Sequence, residues 1–293
     1  MAVTYSGRQI NATVTVEEAM AYVNNEDELL ALLKEDTYIG SWVKESERVG
    51  GNRSKKVSYR LFSFEDLTMG TYDWKNGYPD KNHSSSWVER ELTQEKGNVL
   101  TIDVIDQETS IGGDIVSLHN QYTKKIKIPT IATYTFGQVV ANATNKDTIA
   151  LTKDNIVSTI FAQLTALEEK GVTIQNSQLE LRITPTAYSL LIEAGYDKGS
   201  FAINGTAFAF GNEVSNVGGV VKIVKVPSTL MGTADLILAP AEAVAVTFLL
   251  DEAVYHDRVA GHGTRKKQVD EGIVYDAWII PGWEDYVFVN TKA

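Results

Sequence analysis

Apolar residues recur at helical spacing in the stretch from Lys153 to Lys170. Thr152 precedes this stretch as a candidate N-cap, and Gly171 follows it at the position where helices commonly end. One apolar face on a segment of this length is typical of a helix that packs on a sheet. We therefore predict an amphipathic helix whose apolar face consists of Ile156, Ile160, Phe161, Leu164 and Leu167.

Strand patterns follow this helix. Segment 179–183 alternates apolar and polar residues, which predicts a strand. Pro185 then begins a predicted short helix that runs through Ala194 and is capped by Gly195. The alternation of strands and helices indicates a sheet with helical cover.

The C-terminal part is rich in apolar runs. Segments 219–227 and 234–240 carry apolar residues on both faces, as central strands of a covered sheet do, and 244–250 is a further candidate strand. The final pair, 272–280 and 286–290, is separated by a Pro-Gly-Trp turn. We predict that this pair forms a hairpin.

Two more helices are predicted upstream. The first runs from Gln107 to Tyr122 and is weakened by two consecutive glycines. We expect Pro129 to stop or redirect the chain, because proline disfavours helical backbone in the residue before it. The second helix is predicted from Thr130 to Ala143.

Turn-forming residues interrupt two strand patterns between Gly51 and Gly97. A strand beginning at Val57 leads out, and a polar excursion with Asn-Gly and Pro-Asp turns follows. Segment 86–94 returns from this excursion as the second strand, and segment 98–106 re-enters the body as a further strand. Because a lone hairpin is marginally stable in water, we expect this projecting β-loop to lie on another surface. Segment 1–38 has a broken helical pattern typical of an arm.

Composition and charge limit the function classes. The chain has 293 residues, and its 38 acidic against 27 basic residues give a net charge of -11, which opposes the phosphate contacts of DNA-reading proteins. We interpret the basic run of Arg53, Lys55 and Lys56 as a solvated face or a subunit contact. The chain has no cysteine, no signal-peptide pattern and no apolar run long enough to span a membrane. We therefore expect synthesis in a reducing cytoplasm and no membrane partner.

One acidic cluster is a candidate for metal chemistry. Asp103, Asp106 and Glu108 lie close enough in sequence to hold a hard cation. Acids near a helix N-terminus are the commoner interpretation, since they favour the positive end of the helix dipole. The chain has no nucleophile elbow and no phosphate-binding loop.

Histidines and aromatic residues add no further chemistry. His256 and His262 are six positions apart, which matches no zinc signature, and His83 and His119 are isolated in the sequence. We interpret the aromatic residues near the C-terminus as packing residues rather than as a stacking platform. We therefore predict no catalytic residue, cofactor or metal, and a protein that is not an enzyme. The aromatic residues in question are Trp278, Trp283, Tyr286 and Phe288.

An ordered series of segments carries a family resemblance. It comprises a basic junction after the long spine helix, a helix-corner-strand-helix unit, a glycine-led strand ending in Val-Pro-Ser, a strand with its turn, and a closing hairpin with Tyr-Asp-Ala. These segments are 124–140, 166–191, 216–231, 234–246 and 270–290. In this order they resemble the major capsid proteins of tailed phages, whose Hong Kong 97 type fold is shared with encapsulin shells.

The resemblance implies a fold of the α+β class. It implies an N-terminal arm, an extended β-loop, a peripheral domain with a long spine helix, and an axial domain with a central mixed sheet. The corresponding ranges are 1–38 for the arm, 51–97 for the loop, 98–147 with 260–293 for the peripheral domain, and 148–259 for the axial domain.

The resemblance also implies a structural virion protein. Such a chain assembles through hexamers and pentamers into an icosahedral head shell around packaged double-stranded DNA, which it contacts without sequence specificity. Its partners are copies of itself, a portal and, because no long charged helical extension is present, a separate scaffolding protein. The loop would lie over a neighbouring subunit, with contact candidates Phe62, Phe64, Trp74, Tyr78, Trp87, Arg53, Lys55 and Lys56.

Two alternatives stay open on the sequence. The first is an encapsulin-like cellular nanocompartment, which has the same fold but encloses cargo enzymes. The second is an acidic metal-dependent hydrolase that uses Asp103, Asp106 and Glu108. Covalent cross-linking is not expected, because Lys75 and Lys81 on the loop have no recognisable partners.

Overall fold

The computed structural model describes residues 4–5, 8–9, 38–44, 47–49, 55–64, 72–75, 83–103, 115–172, 178–198, 216–217, 221–256 and 266–292. The helices are α1 Ile115–Tyr122, α2 Ile128–Asn142, α3 Ile156–Glu169, α4 Pro185–Lys198 and α5 Ser228–Met231, with a π-helical segment Thr123–Lys127 and 3-10 turns Gly40–Trp42 and Glu284–Tyr286. The strands are β1 Thr4–Tyr5, β2 Arg8–Gln9, β3 Glu47–Val49, β4 Lys56–Phe64, β5 His83–Glu91, β6 Gln94–Asp103, β7 Asn145–Asp147, β8 Leu179–Ile183, β9 Asn216–Val217, β10 Val221–Lys225, β11 Ala234–Pro240, β12 Val244–His256, β13 Lys266–Ile279 and β14 Phe288–Thr291.

A mixed six-stranded sheet forms the centre of the body, in the order β7-β14-β11-β8-β10-β9. Strand β8 pairs antiparallel with β11 and parallel with β10. Alternate residues of β11 point to opposite faces, so Leu236 and Leu238 pack against α3 and α4, whereas Ile237 and Ala239 pack against α2. Both faces of the central sheet are therefore covered by helices.

Two three-stranded sheets complete the described architecture, apart from the short β1–β2 pair. One has the order β12-β13-β6 and packs through Ile273 and Tyr275 into the same core as α2. The other has the order β3-β4-β5 and is antiparallel throughout. The predicted strand after Val57, the returning strand and the re-entry strand are confirmed as β4, β5 and β6, and the predicted α+β class is confirmed.

The predicted break at Pro129 is wrong. Helices α1 and α2 are joined by the π-helical segment into one continuous helix over residues 115–142, which we call the long helix. Just before the proline, the Ile128 N–H donates to the Thr123 carbonyl five residues back. Proline lacks an N–H and clashes with the carbonyl four residues back, so the wider π turn accommodates it. The Thr130 hydroxyl also donates to the Ile126 carbonyl at 2.6 Å.

The predicted C-terminal hairpin is also wrong. Strand β13 lies in the sheet with β12 and β6, whereas β14 pairs with β11 and β7 in the central sheet. Between them, Gly282 adopts a positive φ of 90°, and a 3-10 turn redirects the chain. The chain thus passes from one sheet to the other between two consecutive apolar strands.

Two details of the predicted helices need correction. Helix α4 continues to Lys198, so Gly195 lies inside it and does not cap it. In α3, Phe161 is exposed, and Gln163 is buried beside Ile160 and Leu164 instead. At 100° per residue, position 163 lies at the edge of the apolar face, about 55° from its centre, whereas position 161 lies about 105° from the centre. No described helix is long and apolar enough to cross a membrane.

Candidate functional site: the β-loop and its anchors

The β-loop is a long antiparallel ribbon. Strands β4 and β5 pair in continuous register from Lys56 opposite Glu91 to Phe64 opposite His83, which corresponds to about 30 Å of strand. Among the side chains that the structure describes, Trp87 on β5 is 61% exposed and Trp74, beyond the end of β4, is 79% exposed. Exposed tryptophans on such a ribbon are typical of a contact surface.

Other predicted contact residues have mixed outcomes. Phe62 and Phe64 lie on β4, but the structure does not describe their side chains. Arg53 and Tyr78 lie outside the described residues. Lys55 is exposed and forms an ion pair with Glu95.

The remaining basic contact candidate is also engaged within the chain. Lys56 Nζ lies 3.9 Å from Glu89 Oε2, and both side chains are more than half exposed. The basic run is therefore partly neutralised, because Lys55 is paired as well. Exposed pairs of this kind contribute about 0–1 kcal/mol, so they leave the lysines available for other partners.

In the described segment 72–75, between β4 and β5, a lysine ammonium group lies over an aromatic ring. Lys75 Nζ lies 5.1 Å from the ring centroid of Trp74, and the Lys75 N–H donates to Asp73 Oδ1 at 2.9 Å. Tyr72 is 58% exposed beside them. Segment 72–75 thus presents apolar area, a positive charge and a negative charge within four residues.

The base of the ribbon is built into the body. Val57 and Leu92 are buried and pack with Val274 and Trp278 of β13. The guanidinium of Arg90 lies 5.6 Å from the centroid of the Trp278 ring. The predicted packing role of Trp278 is confirmed, and it fixes the β-loop at one end.

A carboxylate joins this base to the long helix. Asp276 Oδ1 accepts a hydrogen bond from the Tyr134 hydroxyl at 2.8 Å, and Oδ2 accepts one from the Thr93 N–H at 3.1 Å. Burial raises the pKa of Tyr134, an effect that Thr93 opposes and Asp276 reinforces. Burial also raises the pKa of the neighbouring Tyr275 to about 12, so both phenols stay neutral near pH 7.

Residues 38–44, which we call the arm root, connect the central six-stranded sheet with the sheet of β12, β13 and β6. Trp42 is 0% exposed and makes an edge contact with Phe136 of α2, with ring centroids 5.8 Å apart. Val43 forms a parallel bridge with Val246 of β12, and the next backbone N–H donates to the Val246 carbonyl at 2.9 Å. The chain that follows the predicted arm is therefore part of the core.

Arg182 of β8 holds the arm root from the other side. Its guanidinium carbon lies 3.4 Å from the ring centroid of Trp42, and its Nε donates to the Tyr38 carbonyl at 2.8 Å. Its Nη2 donates to the Glu180 carboxylate at 2.7 Å and to the Ser41 hydroxyl oxygen at 2.8 Å. We call these residues the arm-root clamp: Tyr38, Ser41, Trp42, Glu180 and Arg182.

The clamp is charged although it is buried. Burial lowers the pKa of Arg182 to about 10, and Glu180 acts against this shift, so the guanidinium is charged near neutral pH. Burial alone would raise the pKa of Glu180, but Arg182, Ser41 and Lys222 together hold it below its ordinary value. The pair therefore remains ionic in the core.

Sequence reasoning missed this clamp. Segment 179–183 predicts a strand with polar residues on one face, and such a face is normally solvated. Here β8 is central in a sheet covered on both sides, so Glu180 and Arg182 must be buried together. A Glu-x-Arg pair on a central strand was the available signal.

The acidic candidate is not assembled among the described residues. Asp103 ends β6, whereas Asp106 and Glu108 lie outside the residues that the structure describes. Over the described part of the chain, no group of three or more potential ligands could hold a metal ion. The metal interpretation of these three residues gains no support from the geometry.

Two of the four histidines have partners among the described side chains. His119, which is isolated in the sequence, has its Nε2 2.7 Å from Glu271 Oε2, and both side chains are buried. His256 Nε2 lies 3.0 Å from Asp270 Oδ2 at the surface. His262 is outside the described residues. The His119 contact ties the long helix to β13.

No protein-family model and no curated protein sequence matches the chain. Solved structures do match. The capsid structure of the cyanophage P-SCSP1u is 11% identical, with 89% of each chain covered and a TM-score of 0.65. The mature capsid of bacteriophage PhiM1 is 10% identical, with 88% of this chain and 99% of that chain covered and a TM-score of 0.54.

A virus-like particle is similar as well. The virus-like particle from Pyrococcus furiosus is 12% identical, with 94% of this chain and 100% of that chain covered and a TM-score of 0.53. At these identities the likeness concerns the fold. The chain has the Hong Kong 97 type fold of tailed-phage capsid proteins.

Proposed function

We propose that this protein is a structural, non-enzymatic subunit of a tailed-phage head. Copies of the chain assemble through hexamers and pentamers into an icosahedral shell that encloses packaged double-stranded DNA. The observation that carries this proposal is the β-loop, a ribbon that is fixed at its base by Trp278 and exposes Trp74 and Trp87.

The loop is best explained by contact with another copy. Burying an aromatic side chain contributes about 25 cal/mol per Å² of apolar area, so leaving two tryptophans in water costs several kcal/mol. A monomeric protein gains nothing from that exposure. In a shell, each loop places the same side chains on a neighbour, and the contact repeats in every capsomer.

The domain assignment belongs to the same proposal. Residues 1–38 form the arm, 51–97 the extended loop, 98–147 with 260–293 the peripheral domain, and 148–259 the axial domain. Two strand pairings interlock these units, because β12 pairs with β13 and β14 pairs with β11. The two domains would therefore move as one body during assembly.

The remaining partners are proposed on the same ground. A portal and a separate scaffolding protein would guide closure, and the subunit would be made in the cytoplasm of a bacterial host before it enters the virion. Neither role requires a cofactor or a bound metal. The loop contact candidates are Trp74 and Trp87, together with Phe62, Phe64, Tyr78, Arg53, Lys55 and Lys56.

Electron microscopy with negative stain, combined with sedimentation of the purified chain, tests the shell. We expect rings or closed particles in the megadalton range. A chain that stays monomeric at every concentration, with and without a crowding agent, would contradict the proposal. In the same assay, alanine variants of Trp74 and Trp87 should remain folded but assemble poorly or not at all.

A cellular nanocompartment is the second candidate. The match to the virus-like particle from Pyrococcus furiosus, which spans 94% of this chain, favours it. Mass spectrometry of particles purified from the native source separates the two candidates. Portal and tail proteins with packaged DNA support the phage head, whereas an enclosed cargo enzyme supports the nanocompartment.

A further inference from the structure

The long helix is depleted of acidic residues. From Ile115 to Lys146 the chain has no Asp or Glu, although its overall content of 38 acids in 293 residues would place about four in a stretch of that length. Lysines do occur within it, at positions 124, 125, 127 and 146. In a protein with a net charge of -11, this stretch carries charge of the opposite sign.

The exposed side chains of this helix form a strip that winds around the helix axis, because α-helical positions at a spacing of four advance by about 40° per step. The helix spans about 40 Å at 1.5 Å per residue. Its buried face packs on the central sheet and on the sheet of β12, β13 and β6 through Ile131, Phe136 and Val139. Outside that face lie exposed lysine, amide, hydroxyl and small side chains, which we call the lysine strip: Asn120, Gln121, Lys124, Lys125, Thr133, Gly137, Ala141 and Asn142.

The charges on the strip are not neutralised within the described part of the chain. Neither Lys124 nor Lys125 has an ion-pair partner among the described residues, whereas Lys55 and Lys56 on the β-loop both do. At the C-terminal end, Lys146 Nζ lies 2.7 Å from the Ala141 carbonyl, where a cation offsets the negative end of the helix dipole.

The other side of the central sheet has a mixed character. Helices α3 and α4 cover that side, where the exposed residues include Glu168, Glu169 and Glu193 as well as Lys153, Lys170 and Lys225. The long helix differs from that side because the only charged side chains it exposes are those of lysines.

We propose that the lysine strip faces the packaged nucleic acid and contacts its phosphate backbone without sequence preference. This inference rests on the proposed shell function. Lysine, asparagine, glutamine and threonine side chains are the groups that contact phosphates, and Gly137 and Ala141 let a backbone approach closely. Two lysines neutralise only two phosphates and therefore give a weak contact. The acidic remainder of the chain repels DNA and keeps the contact weak, so the DNA can still slide during packaging.

The test measures binding of unassembled full-length subunits to a random-sequence 30-base-pair duplex by fluorescence anisotropy across a salt series. Removing two phosphate contacts by Lys124→Gln with Lys125→Gln should reduce the dependence of log K on log salt by about 1.8. Lys153→Gln with Lys225→Gln removes the same charge from the α3 and α4 side, and we expect it to leave that slope nearly unchanged.

A third variant separates charge from side-chain loss. Gln121→Glu places an acid four residues before Lys125, where it pairs with that lysine and leaves both lysines in place. We expect weaker DNA binding with a shallower salt dependence. Circular dichroism spectra that match the parent protein verify that each variant is folded.

Several outcomes would overturn the inference. Equal loss of binding in the control variant would show that only net charge matters, and an unchanged salt slope in the strip variants would show no contact. If the strip variants stop shell closure but bind DNA normally, the strip is a protein interface, to which the exposed Ile126 beside it would contribute. Failure of the parent chain to form shells would instead refute the proposed function.

Discussion

Trp42 and Trp74 have the same side chain and opposite surroundings. Trp42 is 0% exposed and lies between Arg182 and Phe136, whereas Trp74, in the segment between β4 and β5, is 79% exposed. The first ring is enclosed within one chain, whereas the second is mostly in water although Lys75 lies over it. From the proposed function we expect that the body folds alone and that the loop depends on assembly.

The largest effect is expected at the arm-root clamp. Arg182→Ala leaves the buried Glu180 carboxylate with Ser41 and the more distant Lys222 as its partners. Removing one partner of a buried pair costs about 3–5 kcal/mol, so we expect a loss of that size in the free energy of unfolding. Urea denaturation of the unassembled subunit measures it.

The control for this variant replaces both charges. Glu180→Gln with Arg182→Met removes the uncompensated carboxylate and keeps the volume, so we expect it to recover at least half of the lost free energy. If Arg182→Ala lowers the free energy of unfolding by less than about 1 kcal/mol, the clamp does not hold the arm root. The expected difference in stability effect between the arm root and the β-loop would then be absent.

The junction between the loop and the body gives a smaller effect. A Cβ at Gly97 would lie 2.4 Å from the Glu271 carbonyl oxygen, so Gly97→Ala must push β6 away from β13. We expect a loss of about 1–3 kcal/mol in the free energy of unfolding. Gly137→Ala is the matched control, because nothing lies within 4 Å of its Cβ and alanine favours helix by about 1 kcal/mol.

Calorimetry of the two glycine variants provides the measurement. Opposite signs, with a lower melting temperature for the Gly97 variant and a higher one for the Gly137 variant, would locate the tight contact at the root of the loop. Equal changes in both would show that the close approach of β6 to β13 has no energetic consequence.

Alkaline pH should destabilise the body through the buried Tyr275. The pKa of Tyr275 is raised by burial to about 12, from an ordinary value of 10.0. A folded-state pKa above the unfolded value gives stability that is complete below pH 10 and is lost as pH rises toward 12. Thermal melts of the subunit between pH 9 and pH 12 should show this fall, and Tyr275→Phe should reduce it.

Local patterns predicted those elements whose causes are local. Helix α3 and strands β8 and β11 follow from the spacing of their own apolar residues. The two strands β13 and β14 show why pairing was not predictable: both are apolar, and neither sequence indicates which sheet each joins. A change of one residue in the hydrogen-bond spacing at the π segment, from four residues to five, likewise removes the expected effect of Pro129.

The candidate site was predictable to the extent that its residues are exposed. Trp74 and Trp87 lie on a segment whose turn residues interrupt two strand patterns, and that pattern is visible in the sequence. The arm-root clamp joins residues about 140 positions apart, from Ser41 to Arg182, so no local spacing reveals it. The two charged residues of β8 can be interpreted as a buried pair only once both faces of its sheet are known to be covered.

The smallest effect on folding, and the sharpest contrast, is expected at the loop. Trp74→Ala and Trp87→Ala remove side chains that are mostly in water, so the free energy of unfolding of the subunit should change by less than about 0.5 kcal/mol. Assembly should nevertheless fail or shift to much higher protein concentration, as sedimentation would show, because the missing area belongs to a contact with another copy. Trp278→Ala is the control, since this buried ring anchors the loop and its loss should lower the stability of the subunit itself by about 3–5 kcal/mol. If the two loop variants destabilise the subunit as much as the control does, the loop folds back on its own chain, and its role in assembly would have to be abandoned.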